Sequence, residues 1–94
     1  MTEQQLADLL SRCKITLGIT TTAFDGRLEQ YLQSAYAEII REGVATLDAS
    51  NVEDAETIVM YTCWLWDSRI SGRGMTDMLR RRMNNRIFSE KMGG

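Results

Sequence analysis

The residues able to do chemistry are few, and their spacing restricts them further. The 94-residue chain has no histidine. That removes Ser-His-Asp and Cys-His nucleophile arrangements and every histidine-ligated metal site. The two cysteines, Cys13 and Cys63, stand far apart with no C-x-x-C pair, which excludes zinc ribbons and dithiol redox motifs. They read as buried thiols of a reduced compartment, since free cysteine packs as a small apolar residue. Glu53, Asp54 and Glu56 resemble a carboxylate cluster for a metal, but a helix N-terminus explains them better, because the positive end of the dipole favours carboxylates there. The Gly72-Arg73-Gly74 stretch lacks the lysine and the glycine spacing of a phosphate loop. No other set of side chains stands at a spacing that catalysis requires. The chain is expected to be no enzyme and to hold no cofactor or metal.

What remains is charge and aromatic surface. Residues 1–67 carry four basic and eleven acidic groups, a balance of −7, whereas residues 68–94 carry seven basic and two acidic groups, a balance of +5. The basic end holds Arg69, Arg73, Arg80, Arg81, Arg82 and Arg86. Three uses compete. The arginines can pair with acids of their own chain, where exposed pairs are worth about 0–1 kcal/mol each. They can meet the acidic body of another subunit head to tail. They can also face phosphate, although a pI near 5.0 argues against tight duplex binding. Trp64 and Trp66 lie about 200° apart on a helix. One is expected in the core and the other at an interface, where tryptophan is enriched.

The elements that must position these residues are helices. One domain fits this length. The apolar fraction of 44% suits a globular chain, and no apolar run approaches the ~18 residues of a membrane span. The start shows no basic-then-apolar secretory pattern. Thr2 and Gln5 form a capping box for a first helix over 2–13, with Leu6, Leu9, Leu10 and Cys13 on one stripe. Residues 14–19, KITLGI, alternate and read as an extended connection that inserts Ile15, Leu17 and Ile19 into the core, or as a short strand offered to a neighbouring chain. Thr22 is expected to cap a second helix over 22–42, with Phe24, Leu28, Leu32, Ala35 and Ile39 buried and Gly43 ending it. Ser50 and Glu53 suggest a capping box for a third helix over 51–69. Its TIVMYTCWLW stretch is apolar on nearly every side, as in a central helix or one with more than one partner. Gly72 and Gly74 form the best candidate hinge. A basic fourth helix over 75–88 is expected to bury Met75, Met78, Leu79, Met83 and Ile87, and residues 89–94 to fray. The fold expected is all-α, a small four-helix domain with two longer antiparallel central helices.

The order of these segments resembles the small head–tail connector proteins of tailed bacteriophages, also called head-completion or DNA-packaging adaptor proteins. KITLGI is followed by FDGRLEQYLQSAYAEIIREG, a loop with NVED, the aromatic helix IVMYTCWLWDSR, a glycine break and a basic helix. Within them stand D-x-x-L-x-x-Y-L-x-x-A from Asp25 to Ala35 and Tyr-x-x-x-x-Trp from Tyr61 to Trp66. The resemblance covers residues 6–88. It implies a structural protein of the virion, made in the host cytoplasm and placed at the head–tail junction. Such proteins assemble as a ring, often twelvefold, beneath the portal protein. They extend the channel for packaged DNA, help retain that DNA and dock a downstream connector, stopper or tail protein. This chain ends soon after its fourth helix, so that helix or the tail would replace the C-terminal extension of longer members. Arg73, Arg80, Arg81, Arg82 and Arg86 are then the candidate contacts to a neighbouring subunit, the portal or channel DNA, with Trp64 and Trp66 as candidate interface aromatics. No membrane partner is expected. The rival expectation is a small helical DNA-binding module, of helix-turn-helix or small-terminase type, reading with Asn84 and Asn85 among the arginines of the fourth helix.

Overall fold

Thr2 opens the first helix, α1 (Glu3–Leu17), with the predicted capping box: its hydroxyl accepts from the Gln5 N–H at 3.1 Å, and the Gln5 side chain accepts from the Thr2 N–H at 2.9 Å. The computed structural model describes residues 1–93, apart from the side chain of Ile70. Three more helices follow, α2 (Asp25–Arg41), α3 (Val52–Ser71) and α4 (Asp77–Lys91), with no strand among the described residues. The chain is a small all-α, four-helix domain.

Residues 14–19 are not an extended connection. Helix α1 runs through them to Leu17, and Thr16 Oγ1 donates back to the Arg12 carbonyl at 3.0 Å. Ile15 is 80% exposed, so neither the three-residue insertion nor the strand edge exists. The helix outlasts its apolar stripe and stops where the chain can turn left-handed. Gly18 does so at φ 72°, and the N–H groups of Gly18 and Ile19 bond the carbonyls of Ile15 and Lys14, closing the last turn.

Three other boundaries shift from their expected places. Helix α2 begins at Asp25, with Phe24 as a cap that makes no side-chain bond. The Thr22 contribution is its carbonyl, which accepts from the Asp25 N–H at 3.2 Å. Helix α3 is capped by Asn51, whose Oδ1 accepts from the Asp54 N–H at 3.1 Å. The Ser50 hydroxyl instead donates to Asp48 at 2.6 Å, so the Ser50–Glu53 box does not form. Helix α4 is capped by Thr76 and starts after Met75. It continues past Phe88 to Lys91, so Ser89, Glu90 and Lys91 do not fray; Gly94 lies outside the described residues. Glu90 holds this end: its carboxylate accepts from the Thr46 N–H at 2.6 Å and from Thr46 Oγ1 at 2.8 Å.

Helix α3 is the middle of the domain. Phe24, at the start of α2, packs edge-on against Trp66, near the end of α3, so the two long helices are antiparallel as expected. Helix α1 runs alongside α3 in the same direction, with Leu9 near Ala55 and Thr16 near Cys63. An Arg12–Glu56 ion pair joins these two helices, and Lys14 joins α1 to Asp25 of α2 at 2.9 Å. Helix α4 returns antiparallel to α3, bringing Arg86 to Asp54. Ile58, Val59, Tyr61, Thr62, Cys63 and Trp66 are buried on several sides of α3. Its over-apolar sequence is therefore satisfied by three helices of its own chain.

The Glu90–Thr46 bonds hold the Glu90 carboxyl below its usual value of about 4.5. Their contribution is fully present above that value and is lost as pH falls through the lowered one. Glu90→Gln should destabilise the protein at pH 7, by an amount that shrinks as pH falls below about 4.5. Thermal unfolding across that range checks it; a difference that is constant with pH would contradict the assignment.

Candidate functional site

The six arginines of the basic end do not act as one group. Arg86 points inward. Its Nε donates to Asp54 Oδ1 at 2.8 Å, and its Nη2 reaches Asp54 Oδ2 at 3.4 Å and Thr46 Oγ1 at 3.1 Å. Asp54 is 4% exposed and accepts in addition from the Asp48 N–H at 3.0 Å. The hydrogen bond to Asp54 raises the pKa of the guanidinium further, so it stays charged. Arg86 is therefore a clamp between α4 and the start of α3, not a free contact. Arg69 covers Trp66, its guanidinium carbon 4.0 Å from the ring centroid, a cation–π contact that spacing alone does not reveal. Arg82 is half-buried and lines a cleft of about 400 Å³ with Glu53, Asp54, Arg81 and Asn85. Arg73, Arg80 and Arg81 are exposed, and among the described residues no carboxylate pairs with them.

One tryptophan lies in the core, as expected, and both find partners within the chain. Trp66 is buried, with Phe24 and Tyr31 packed edge-on against it. Trp64 is half-buried against Tyr61, and its indole N–H donates to the Arg73 carbonyl at 3.1 Å. Trp64 thus pins the turn that contains Gly72 and Gly74. Gly72 itself ends α3 at φ 67°, a left-handed position that favours glycine. Under this turn lies an apolar groove of about 610 Å³, lined by Met60, Cys63, Trp64, Trp66 and Leu79, with Asp67 and Arg73 among its polar residues. Cys63 and Cys13 are free, buried thiols. The neighbouring Cys63 thiol and burial push the Cys13 thiol up, which suits packing rather than nucleophilic work.

The feature that sequence reading placed wrongly is Met78. It is not part of the buried stripe of α4; Leu79 and Met83 are buried, and Met78 is 69% exposed. Phe88 and Met92 are 65% and 71% exposed. At about 100° per residue, Met78, Arg81, Asn85, Phe88 and Met92 fall within an arc of about 80°, opposite Leu79 and Met83. Helix α4 therefore carries apolar residues on both faces, the outer one interleaved with the unpaired Arg81 guanidinium. The signal was present at i, i+3, i+7 and i+10 from Met78, but the stronger inner stripe claimed the neighbouring methionine. No helix among the described residues is long and apolar enough to cross a membrane.

No family model, curated protein or solved structure matches this chain.

The two kinds of arginine should separate in unfolding experiments. Arg86→Ala leaves Asp54 buried without its counter-ion and should cost about 3 kcal/mol. Arg80→Ala and Arg81→Ala should each change stability by less than about 0.5 kcal/mol. Urea titration checks both, and equal effects at the three positions would contradict this division of roles.

Proposed function

We propose that this chain is a structural adaptor of the phage head–tail connector type. It assembles as a ring under the portal protein, extends the DNA channel, helps retain packaged DNA and offers a surface to the next connector, stopper or tail component. The observation that carries this reading is the outer face of α4, where Met78, Phe88 and Met92 are exposed around the unpaired Arg81. Methionine, phenylalanine and arginine are the types enriched where proteins meet, whereas lysine and glutamate are depleted. A solvated helix face has the reverse composition. The order of segments along the chain supports the same reading through its resemblance to that family.

The DNA-binding reading keeps one favourable observation: Asn84 and Asn85 are exposed beside Arg80 and Arg81. Met78 and Phe88 on the same helix face weigh against it, because a groove-reading helix presents polar side chains to base edges.

The test is a double charge reversal, Arg80→Glu with Arg81→Glu. Arg82 is left alone because it is half-buried, where a carboxylate would disturb folding. The variant should keep the wild-type melting temperature and bind the cognate portal about 100-fold more weakly, as expected for two central interface arginines. Solution mass with and without portal reads this out. A wild-type chain that leaves portal mass unchanged, yet binds short duplexes with steep salt dependence, would replace the adaptor reading with the DNA-binding one.

A further inference from the structure

The four helices are not joined equally. Helices α1, α2 and α3 each pack against the other two. A side-chain link fastens every one of these junctions: Arg12 to Glu56, Lys14 to Asp25 and Phe24 to Trp66. Helix α4 packs chiefly on α3, with Ile87 against Gly43 in the loop that precedes α3. Among the described residues it gives only Leu79 and Met83 to the buried apolar core. The rest of its hold is polar and lies near its ends. Towards the C-terminus Arg86 grips Asp54, and Glu90 grips Thr46. Ahead of its first turn, the Trp64 indole N–H holds the Arg73 carbonyl at 3.1 Å.

The link from α3 to α4 can turn. Residues 72–76 form neither helix nor strand, and Gly72, Arg73, Gly74 and Thr76 are exposed. A side chain placed on Gly72 or Gly74 would meet nothing within 4 Å, so no neighbour wedges the bend. Besides the caps of the two helices, the Trp64 bond and a 3.3 Å bond from the Arg73 N–H to the Ser71 hydroxyl tie it down. Thr76 and Leu79 also line the groove under this turn, together with Met60, Cys63 and Trp64 of α3. Helix α4 therefore closes one side of the hollow that reaches Cys63, which is 9% exposed, whereas Cys13 is fully buried.

We infer that α4 is a hinged arm: it lifts as one unit from the α1–α2–α3 body by turning at Gly72–Gly74, with the Trp64–Arg73 bond as its latch, while the three-helix body stays folded. An element held by few buried apolar contacts opens more readily than the body it rests on. Closed, the arm holds Met78 and Phe88 in one direction. Open, it re-aims them and also bares Leu79 and Met83. A partner that takes both apolar faces of the helix binds the open form better and draws the equilibrium towards it. The hinge is a property of the chain alone and does not depend on the adaptor reading.

Native-state hydrogen exchange of the intact chain in low urea tests this, with iodoacetamide labelling of the same sample read by mass spectrometry. Amides from Leu79 to Ile87 should share one opening, at least about 10-fold more populated than the one that exposes Ile58 to Thr62 of α3. That opening should depend less steeply on urea, because it bares less surface than global unfolding. Cys63 should be alkylated before Cys13, in step with α4 exchange. Trp64→Phe keeps an aromatic ring beside Tyr61 but removes the latch, and should raise both α4 exchange and Cys63 alkylation about 5-fold, the effect of one lost hydrogen bond. Exchange graded inward from Lys91 would mean a fraying end, and one common opening for α3 and α4 would mean that all four helices unfold together. Either result would overturn the arm. So would α4 exchange and Cys63 alkylation unmoved by Trp64→Phe. The wild-type comparison of α4 with α3 decides the matter even if that variant folds poorly.

Discussion

Helix α3 has to be covered on nearly every side, and the rest of the molecule follows from that requirement. A stretch such as TIVMYTCWLW cannot lie on a surface, because exposing it would forgo roughly 25 cal/mol for every Å² of apolar area left in water. A 94-residue chain has only three other helices with which to do this, and all three are used. Helices α1 and α2 bring Leu9, Cys13, Leu28, Leu32, Ala35 and Ile39, and α4 brings Leu79 and Met83. The polar links act at the margins of this arrangement. Lys14–Asp25 and Arg12–Glu56 fasten α1 to its neighbours, and Arg86–Asp54 with Glu90–Thr46 fasten α4.

Spending every helix on α3 leaves a residue of unspent surface, and it is concentrated on α4. That helix has two apolar faces but can turn only one inward. The inner face is completed by the Arg86 clamp, which fixes the rotation of the helix about its axis. The same clamp therefore sets Met78, Arg81 and Phe88 outward. The charge split of the chain has two consequences: Arg86 is used internally against an acid of the body, and Arg73, Arg80 and Arg81 are left facing solvent. One helix thus serves both stability and contact, with the roles separated by rotation around it.

Much of the fold was legible in the sequence. The Thr2–Gln5 box, the buried stripe of α2 from Leu28 to Ile39, the stop at Gly43 and the central place of α3 all follow from caps and a 3.6-residue period, whereas Phe24, expected to lead that stripe, is 42% exposed at the helix start. The misplaced boundaries have separate causes: α1 runs on until Gly18 lets the chain turn, and elsewhere a local competitor or a distant partner decides. Ser50 lost the cap to Asn51 because Asp48 took its hydroxyl. Residues 89–91 stayed helical because Thr46, more than forty residues away, donates two hydrogen bonds to Glu90. The candidate site was half legible. Composition singled out the arginines, but no spacing rule distinguishes Arg86, paired across the domain, from Arg81, exposed to water. Met78 was missed because two stripes on one short helix overlap in any window.

The central claim is that the surface left over by packing α3 is a contact surface. Amide and methyl NMR shifts recorded while the chain is titrated with the portal protein test it most directly, because they name the residues that meet. The account predicts progressive shifts at Met78, Arg81 and Phe88, with α3 core signals unmoved. Shifts confined to the outer face of α2, or spectra unchanged by the portal, would contradict it.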